Sequence, residues 1–513
     1  MYSNKENVNI LTSLLVAHGV RHAVVCPGSR NAPIVHNLSE CADIKCYPVT
    51  DERSAGFYAL GMAQCLNQPV AVCVTSGTAL LNVAPAVAEA YYQHQSLVVI
   101  SADRPQQWID QLDGQTLPQS DALGRFVRKA VTLPEPHDDE SRWYCNRLVN
   151  EVLVVRHAPV HINVPISEPL FGFNVAELPV ERKIECQWAD ISSITLNHVA
   201  RMFMQAKRPL LICGQPLNAN YDEAVVLAGD DERYVPDFVL YTGGSIVSKR
   251  LKRFLRKAKE TWVVNETGEV TDTLMNLTNV IQGDGEMVAD YVRFMLEQQP
   301  HPFVQLWQEL LARARRHSEA YQPAYSQMAV VRCFEQGVGA DDVVVHYANS
   351  SAIRLANIYA RHPIYCNRGV NGIEGSLSTA AGCSVVADAK VYCVIGDLSF
   401  FYDQNALWNQ HLHGNLRVLL LNNGKGGIFN MLRGLEQSGV RDTLVAAQHS
   451  TSAEGVCQQN GVLYQRAADM GAVQQGISWL LHTDSERPLL LEVMTSADDD
   501  EQAMRDYYRS LSI

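Results

Sequence analysis

Short, wholly apolar runs that alternate with helical patterns are the feature that most limits how this chain can fold. Residues 70–74, 391–395 and 418–421 are continuous apolar runs of strand length. Stretches with apolar residues at helical spacing lie between such runs, for example at 54–65 and 80–92. A strand without polar alternation is buried on both faces, which is typical of parallel sheets covered by helices. The sequence therefore predicts an α/β fold of mostly parallel sheets flanked by helices.

The length of the chain indicates more than one folding unit. A single ordinary hydrophobic core does not accommodate 513 residues. Residues 171–185 show little periodicity and are predicted to be a linker, and 300–323 reads as a helix and a second connection. The sequence thus predicts an N-terminal domain over 1–175, a middle domain over 186–300 and a C-terminal domain over 324–513.

Charge and cysteine usage exclude several classes of function. The formal net charge of −13 disfavours a nucleic-acid or anionic-membrane surface. No apolar run approaches the roughly 20 residues that cross a bilayer, and residues 1–10 lack the pattern of a secretory signal, so we expect none. The 13 cysteines are scattered without a C-x-x-C pair, as in proteins of a reducing compartment. We therefore expect a cytoplasmic protein that binds neither nucleic acid nor membrane.

Oxygen ligands follow two of the apolar strands. Gly396-Asp397 comes directly after 391–395, and Asn422-Asn423-Gly424 comes directly after 418–421. If these strands are neighbours, both turns open at the carboxyl edge of one sheet, where ligands of α/β sheets bind. Carboxylate and amide oxygens suit Mg2+, and glycines let backbone N–H groups approach phosphate oxygens. Either turn alone is an ordinary loop, but together they predict a metal and diphosphate site.

The segment that joins these two turns resembles a known signature. Residues 396–423, GDLSFFYDQNALWNQHLHGNLRVLLLNN, are similar to the Gly-Asp to Asn-Asn motif of thiamine-diphosphate-dependent enzymes. The resemblance implies the three-domain thiamine-diphosphate-binding fold, with thiamine diphosphate and Mg2+ as cofactors and Mn2+ as the alternative metal. It implies metal binding by Asp397, Asn423 and the backbone carbonyl of Lys425. The further cofactor contacts that it implies are Gly396, Leu398, Ser399, Ile428 and Phe429.

The same resemblance assigns a role to an acidic residue near the N-terminus. Asp51 and Glu52 lie at a predicted strand-to-helix turn, where acids in a first helical turn are common. The family requires a carboxylate beside the aminopyrimidine ring, and the resemblance implies that Glu52 supplies it. Ile373 corresponds to the large apolar residue that bends the cofactor, although an isoleucine after a glycine turn is often simply core. Because the family builds each site from two subunits, a homodimer or dimer of dimers is implied.

The resemblance extends along the whole chain. The matching segments start at Cys26, Thr50, Thr75, Ile100, Ser248, Asn349, Asn367 and Gly396, and read CPGSRNAPI, TDERSAGFYALGMA, TSGTALLNVAPAVAEA, ISADRP, SKRL, NSSAIR, NRGVNGIEG and GDLSFFYDQNAL. In this order they resemble the 2-succinyl-5-enolpyruvyl-6-hydroxy-3-cyclohexene-1-carboxylate synthases of menaquinone biosynthesis. The implied reaction is decarboxylation of 2-oxoglutarate, followed by conjugate addition of the succinic semialdehyde carbanion to isochorismate.

Cationic residues in these segments are the candidates for substrate binding. The two substrates carry several carboxylates, which guanidinium groups bind in bidentate fashion. The resemblance implies a substrate pocket that includes Ser29, Arg30, Arg104, Gln115, Lys249, Arg250, Ser350, Arg354 and Arg368. Each arginine alone is more commonly a surface ion-pair partner, and the basic run 249–259 is typical of a solvated helix face. Gly114, where the family has Asn, and Lys425, where it has Gly, depart from the pattern.

Two other functions stay open at this point. The first is another thiamine-diphosphate 2-oxo acid decarboxylase or an acetolactate-synthase-like enzyme, which the many arginines disfavour. The second is a catalytically silent paralogue that keeps the fold for binding, which the presence of Glu52, Asp397 and Asn423 disfavours. None of the 16 histidines lies in a segment that requires an acid–base role.

Overall fold

Three parallel sheets form the framework of the molecule. The computed structural model describes residues 1–214, 220–339, 343–432 and 434–511. Every strand pairing within the three sheets is parallel, which confirms the predicted fold class of parallel sheets flanked by helices. Of the helices in the described ranges, none is long and apolar enough to span a bilayer.

The first sheet has six strands in the order β3-β2-β4-β5-β7-β6. Its strands are β2 (His22–Val25), β3 (Lys45–Pro48), β4 (Val70–Val74), β5 (Leu97–Asp103), β6 (Lys129–Thr132) and β7 (Val160–Pro165). The accompanying helices are α1 (Glu6–Ala17), α2 (Ala32–Glu40), α3 (Glu52–Leu66), α4 (Thr78–Asn82), α5 (Ala84–Tyr92) and α6 (Asp139–Leu153). The prediction of one helix over 80–92 is wrong. Pro85 cannot donate a backbone hydrogen bond, so a new helix starts at Ala84 with the proline in its first turn.

A short antiparallel pair and the second sheet follow. The pair joins β1 (Tyr2–Ser3) to β8 (Phe173–Val175), so the predicted linker 171–185 contains a strand. The second sheet has the order β12-β11-β10-β9. Its strands are β9 (Pro209–Cys213), β10 (Phe238–Thr242), β11 (Glu260–Asn265) and β12 (Leu277–Gln282). Its helices are α7 (Ser193–Gln205), α8 (Tyr221–Ala228), α9 (Lys249–Leu255), α10 (Gly285–Gln298) and α11 (Pro302–Ala320).

The third sheet has five strands in the order β13-β14-β15-β17-β16. Its strands are β13 (Val343–Tyr347), β14 (Lys390–Gly396), β15 (Leu416–Asn422), β16 (Leu463–Ala467) and β17 (Leu489–Met494). Its helices are α12 (Gln327–Gly337), α13 (Ser351–Tyr359), α14 (Ser376–Ser384), α15 (Asp397–Tyr402), α16 (Glu454–Asn460), α17 (Met470–His482) and α18 (Ala497–Ser510). Strands β14 and β15 are parallel neighbours, which confirms the arrangement on which the metal-site prediction depends.

The helix after β14 lies earlier than the sequence pattern predicts. The sequence pattern predicts a helical stretch over 404–412. In the structure, α15 begins at Asp397 and only a short 3-10 turn, Gln404–Leu407, follows it. Asp403 ends α15 with φ −113° and ψ 18°. Its buried carboxylate accepts hydrogen bonds from the backbone N–H and the hydroxyl of Ser378. These inward bonds end the helix, and Asp397 is left in its first turn.

The first and third sheets are joined by close contact between α3 and α14. A Cβ atom built on Gly61 would lie 1.9 Å from the carbonyl oxygen of Thr379, and one on Gly382 would lie 2.2 Å from that of Tyr58. One hydrophobic cluster contains buried side chains from both sheets, among them Leu60, Val72, Ala380, Val391 and Leu420. The two sheets therefore share a core.

Candidate active site at the carboxyl edge of the third sheet

Asp397 joins the two turns that follow β14 and β15. Its side chain is buried, and Oδ2 accepts hydrogen bonds from the backbone N–H groups of Asn423 at 3.1 Å and Gly424 at 2.8 Å. Oδ1 accepts from the N–H of Leu398 at 2.7 Å. Burial raises the pKa of Asp397, while these donors and the neighbouring His449 oppose the rise. The carboxylate is thus held at the sheet edge where the sequence predicts a cation site.

The amide of Asn423 is held in one orientation. Its Nδ2 donates to Oδ2 of Asp500 at 2.9 Å. Among the described residues, its Oδ1 accepts only a long hydrogen bond, from the N–H of Lys425 at 3.4 Å. Gly427 leaves room for this amide, because a Cβ there would lie 2.7 Å from Nδ2. Gly424 turns the chain with φ +77°, a conformation that favours glycine. The amide oxygen is therefore weakly engaged.

The ammonium of Lys425 is occupied by carboxylates. Its Nζ lies 3.2 Å from Oδ1 of Asp442 and 3.9 Å from Oδ1 of Asp498. The side chain of Lys425 is thus held by these two carboxylates. Its backbone carbonyl, a separate group, is the one expected to bind the metal.

The donor set at this edge fits a hard divalent cation. Asp397 offers carboxylate oxygen, Asn423 amide oxygen and Lys425 a backbone carbonyl, and such ligands suit Mg2+. The described residues contain no cluster of three or more His, Cys, Asp or Glu side chains that would form an alternative metal site. A Cβ built on Gly396 would meet no atom within 4 Å, so open space adjoins the residue before Asp397.

Four of the remaining cofactor candidates lie in elements that directly follow the two turns, and the fifth is joined to this edge by one hydrogen bond. Leu398 and Ser399 are in α15, and Ile428 and Phe429 are half-buried in the 3-10 turn Gly427–Met431. The hydroxyl of Ser399 donates to the backbone carbonyl of Ile373. This bond ties the segment 367–373, which carries Ile373, to the start of α15. The Ile373 side chain itself is 40% exposed.

Asn349 organises the segment that carries Arg368. Its Nδ2 donates to the carbonyl oxygens of Asn367 at 2.6 Å and Gly372 at 2.7 Å, while its Oδ1 accepts from Nη1 of Arg368 at 3.0 Å. Burial lowers the pKa of Arg368, and the nearby Arg354 cation acts in the same direction. Within the described part of the chain, Arg354 forms no ion pair and Nε of Arg368 has no hydrogen-bond partner. These two arginines form a cationic pair with unused donors.

Glu89, which sequence analysis missed, holds the same segment from the other side. This residue of α5 is buried, and its two carboxylate oxygens accept from the N–H groups of Gly369 and Val370, each at 2.7 Å. The only local signal was an acid within the apolar pattern of α5. The third-sheet segment is thus fixed by a residue of the first sheet's helices.

A second cationic group lies at the carboxyl edge of the first sheet. Arg30 is 5% exposed and donates to the carbonyl of Ile166 at 2.9 Å and to Oε1 of Glu168 at 3.1 Å. Arg104 donates to the carbonyl of Gly114 at 3.1 Å and lies 3.9 Å from the same carboxylate oxygen of Glu168. The structure therefore brings Arg30 and Arg104 together around Glu168.

The three polar candidates for substrate binding differ in their setting. Ser29 and Gln115 are both exposed, and Gln115 has φ +55° with its backbone 3.3 Å from the Cβ position of Gly77. Ser350 belongs to the third sheet, where it precedes α13 with φ +74°. No described hydrogen bond links these three residues to one another.

Glu52 is the first residue of α3. Its Oε2 accepts from Nδ2 of Asn82 at 3.2 Å. Asp51, not Glu52, caps the helix by accepting from the N–H groups of Arg53 and Ser54. No hydrogen bond or ion pair among the described residues joins Glu52 to Asp397 or Asn423 of the same chain.

Lys249 and Arg250 are exposed at the start of α9. The guanidinium of Arg250 lies over the ring of Tyr508 at 4.7 Å and 4.0 Å from Oδ2 of Asp222. Arg250 is thus engaged with α18 and α8. One turn later on α9, Lys252 has a pKa lowered by burial and by the charge of Arg368. Lys252, which was not a sequence-based candidate, is therefore a cation of α9 close enough to Arg368 to feel its charge.

One histidine lies against the metal loop. Nε2 of His449 is 3.4 Å from Oδ2 of Asp397, and its backbone N–H donates to the carbonyl of Gly424 at 2.7 Å. Sequence analysis missed it because His449 follows β15 by more than 20 residues with no motif around it.

Comparison with known proteins shows which family and fold this chain resembles. Residues 6–123 match the family described as thiamine pyrophosphate enzyme, N-terminal TPP binding domain. The chain is 42% identical to the 2-succinyl-5-enolpyruvyl-6-hydroxy-3-cyclohexene-1-carboxylate synthase of Bacteroides fragilis over 100% of both chains. Its fold matches benzoylformate decarboxylase from Polynucleobacter necessarius with a TM-score of 0.71, at 14% identity over 96% of this chain and 99% of that one.

A second solved structure gives the same fold result. It is an enzyme from Mycobacterium smegmatis described as thiamin diphosphate-dependent, with a TM-score of 0.72 at 16% identity, over 96% of this chain and 99% of that one. The predicted thiamine-diphosphate-binding fold is confirmed.

Proposed function

The chain belongs to the family of 2-succinyl-5-enolpyruvyl-6-hydroxy-3-cyclohexene-1-carboxylate synthases, and on this premise we propose that it decarboxylates 2-oxoglutarate and adds the resulting four-carbon unit to isochorismate. It is a thiamine-diphosphate-dependent transferase of menaquinone biosynthesis. The observation that carries the proposal is the 42% identity to a synthase of this name along the entire chain. The proposal includes a homodimer or a dimer of dimers in the cytoplasm.

The metal loop holds the cofactor in this proposal. Asp397, Asn423 and the carbonyl of Lys425 bind Mg2+, with Mn2+ as the alternative, and Gly396, Leu398, Ser399, Ile428 and Phe429 line the cofactor. When bound, thiamine diphosphate would supply a nucleophilic carbon for the 2-oxo group and an electron sink for the pair left behind when CO2 departs. The support is the hard-oxygen donor set around the buried Asp397 carboxylate and the open space beside Gly396.

Glu52 receives the aminopyrimidine of a cofactor that is anchored by the partner subunit. The support is that Asp51 satisfies the N–H donors at the start of α3, so the carboxylate of Glu52 is not needed as a cap. Glu52 also has no described bond to the metal loop of its own chain. A shared site would bring the two carboxylates to one cofactor, with Ile373 setting its bend.

Two cationic groups would bind the carboxylates of the substrates. One is the pair Arg354 and Arg368 with Ser350 nearby, and the other is Arg30 and Arg104 with Ser29 and Gln115. Lys249 and Arg250 remain in the proposal, but the ion pair and ring contact of Arg250 give it less free donor capacity than Arg354. A guanidinium that has no carboxylate partner within the protein can use both of its donor groups to bind a substrate carboxylate.

One assay tests the proposal against its competitors. The protein is mixed with thiamine diphosphate, Mg2+ and either 2-oxoglutarate or pyruvate, with and without isochorismate, while CO2 release and isochorismate absorbance are followed. We expect consumption of isochorismate that depends on 2-oxoglutarate. Turnover of pyruvate without use of isochorismate would identify another 2-oxo acid decarboxylase. Cofactor binding without turnover of any of these acids would identify a silent paralogue.

A further inference from the structure

We propose that Asp500 is a positioning residue for the metal site, acting through the amide of Asn423. This inference rests on the proposed role of Asn423 as a metal ligand. Asp500 lies in α18, far from the metal loop in sequence, yet its Oδ2 accepts the Nδ2–H of Asn423 at 2.9 Å. An amide whose nitrogen is held in this way must present its oxygen to the other side. That oxygen is the atom that would meet the metal.

The carboxylate of Asp500 is itself fixed by two further donors. Its Oδ1 accepts from the backbone N–H of Gln327 at 2.7 Å, and its Oδ2 accepts from the hydroxyl of Thr495 at 3.0 Å. These bonds hold the carboxylate between the start of α12 and the end of β17. Asp500 therefore offers Asn423 an acceptor of fixed direction, as partners of metal ligands commonly do.

The alternative orientation of the Asn423 amide is disfavoured by the same contacts. A flipped amide would place its oxygen against the acceptor Oδ2 of Asp500 and its NH2 group toward the metal position. Two acceptors facing each other lose a hydrogen bond and repel. Gly427 leaves space for the end of the amide that faces Asp500, because a Cβ there would lie 2.7 Å from Nδ2.

Replacement of Asp500 by Asn tests the inference. The side chain keeps its shape, but one acceptor oxygen becomes a donor that opposes either Asn423 or Gln327. The probe is Mn2+ alone, titrated in the presence of thiamine diphosphate without substrate and followed by the electron paramagnetic resonance signal of free Mn2+. We expect D500N to raise the Kd for Mn2+ by about 10- to 100-fold. Excess Mg2+ should restore kcat.

Two further variants make the result decisive. D499N removes an exposed neighbouring carboxylate of α18 and should leave the Kd within about twofold of wild type, as surface charges do. N423A should weaken binding at least as much as D500N. If N423A weakens binding and D500N does not, the positioning role is refuted while the proposed function stands. If N423A also has no effect, the ligand assignment itself is refuted.

A folding defect is separated from a metal defect by the Tm of the metal-free proteins. If D500N fails to fold, D500E decides, because it keeps the charge and moves the acceptor by one methylene group. An unchanged Kd for Mn2+ in folded D500E would then overturn the proposal, and a raised Kd with an unchanged metal-free Tm would support it.

Discussion

Glu52 and Asp397 are both carboxylates at the start of a helix, but their surroundings differ. Asp397 is buried and accepts three backbone N–H groups, so its position is fixed. Glu52 is half-buried and accepts one side-chain donor, Asn82. Since Asp51 caps α3, the carboxylate of Glu52 contributes little to the helix beyond its favourable charge. A group with so small a structural role is free to serve a ligand.

Replacement of Glu52 by Gln should abolish turnover without loss of cofactor binding. The amide cannot take part in proton transfer with the cofactor ring, and such transfer contributes about 100- to 10,000-fold to the rate. The measurements are kcat, thiamine diphosphate affinity and Tm. The matched control is E140Q, which removes an exposed first-turn acid of α6, a helix that is likewise capped by an aspartate, Asp138. Near-normal activity of E52Q would contradict the activating role.

Replacement of Lys425 by Ala should leave cofactor binding intact. The ammonium is engaged by Asp442 and Asp498, and the metal requires only the backbone carbonyl, which alanine retains. We expect the Kd for thiamine diphosphate with Mg2+ to stay within about threefold of wild type, because the acidic partners of the lost ammonium are open to solvent. Fluorescence titration measures it, with D397A as the variant that should lose binding. A large loss in K425A would show that the ammonium contacts the diphosphate.

At the scale of residues, those that belong to a short motif could be predicted from the sequence. Asp397 and Asn423 follow adjacent strands, and their relation can be derived from strand order alone. Asp500, His449 and Glu89 could not be found in this way. Each reaches the site from a helix or loop whose position depends on packing of the whole chain, and none has a motif around it.

At the scale of elements, the contact of α3 with α14 depends on two glycines. Gly61 and Gly382 allow each helix to approach the other's backbone more closely than any side chain permits. This contact brings the helix that starts with Glu52 against the helix that follows the Arg368 segment. The crossing therefore sets the spacing between candidate site residues of the first and third sheets.

Replacement of Gly61 by Ala should destabilise the protein. The new Cβ would lie 1.9 Å from the carbonyl oxygen of Thr379, so the helices must separate. Overpacking of this kind costs about 1–3 kcal/mol. The control is G455A in α16, where a Cβ meets nothing within 4 Å. Thermal unfolding should show a clear drop in Tm for G61A and none for G455A. If G61A has the Tm of wild type, α3 and α14 can separate without loss of stability.

Sequence patterns located the apolar strands more reliably than the helices between them. Strand β4 was predicted with its observed bounds, and β14 and β15 within two residues. The misplaced helices have specific causes, namely Pro85 within 80–92 and the inward bonds of Asp403. A proline effect is local, but the partner of Asp403 is 25 residues away, which no local pattern reveals.

At the scale of the whole molecule, a buried acid lies between the second and third sheets. Glu223 of α8 has no exposed surface, and the hydroxyl of Tyr507 in α18 donates to its Oε1 at 3.2 Å. Its Oε2 has no hydrogen-bond partner among the described residues. Burial raises the pKa of Glu223 to about 7, with Asp222 adding to the rise and Arg250 opposing it.

This acid should make stability fall as the pH rises through neutrality. The unfolded chain releases the Glu223 proton near pH 4.5, whereas the folded protein retains it until about pH 7. The favourable contribution is therefore complete below pH 4.5 and lost by about pH 8, with a limit of about 3 kcal/mol. E223Q should show a Tm that changes less between pH 5 and pH 8 than that of wild type. Identical pH profiles would show that Glu223 is already ionised in the folded protein.

The shared core of the first and third sheets has a consequence for synthesis of the chain on the ribosome. The face of α3 that packs against α14 is exposed as soon as α3 leaves the ribosome, because α14 is synthesised roughly 300 residues later. At translation rates of about 5–20 residues per second, that face waits roughly 15–60 s for its cover. During this interval a nascent chain exposes Gly61 and its apolar neighbours to other molecules, so the yield of active enzyme should depend on chaperones that bind nascent chains.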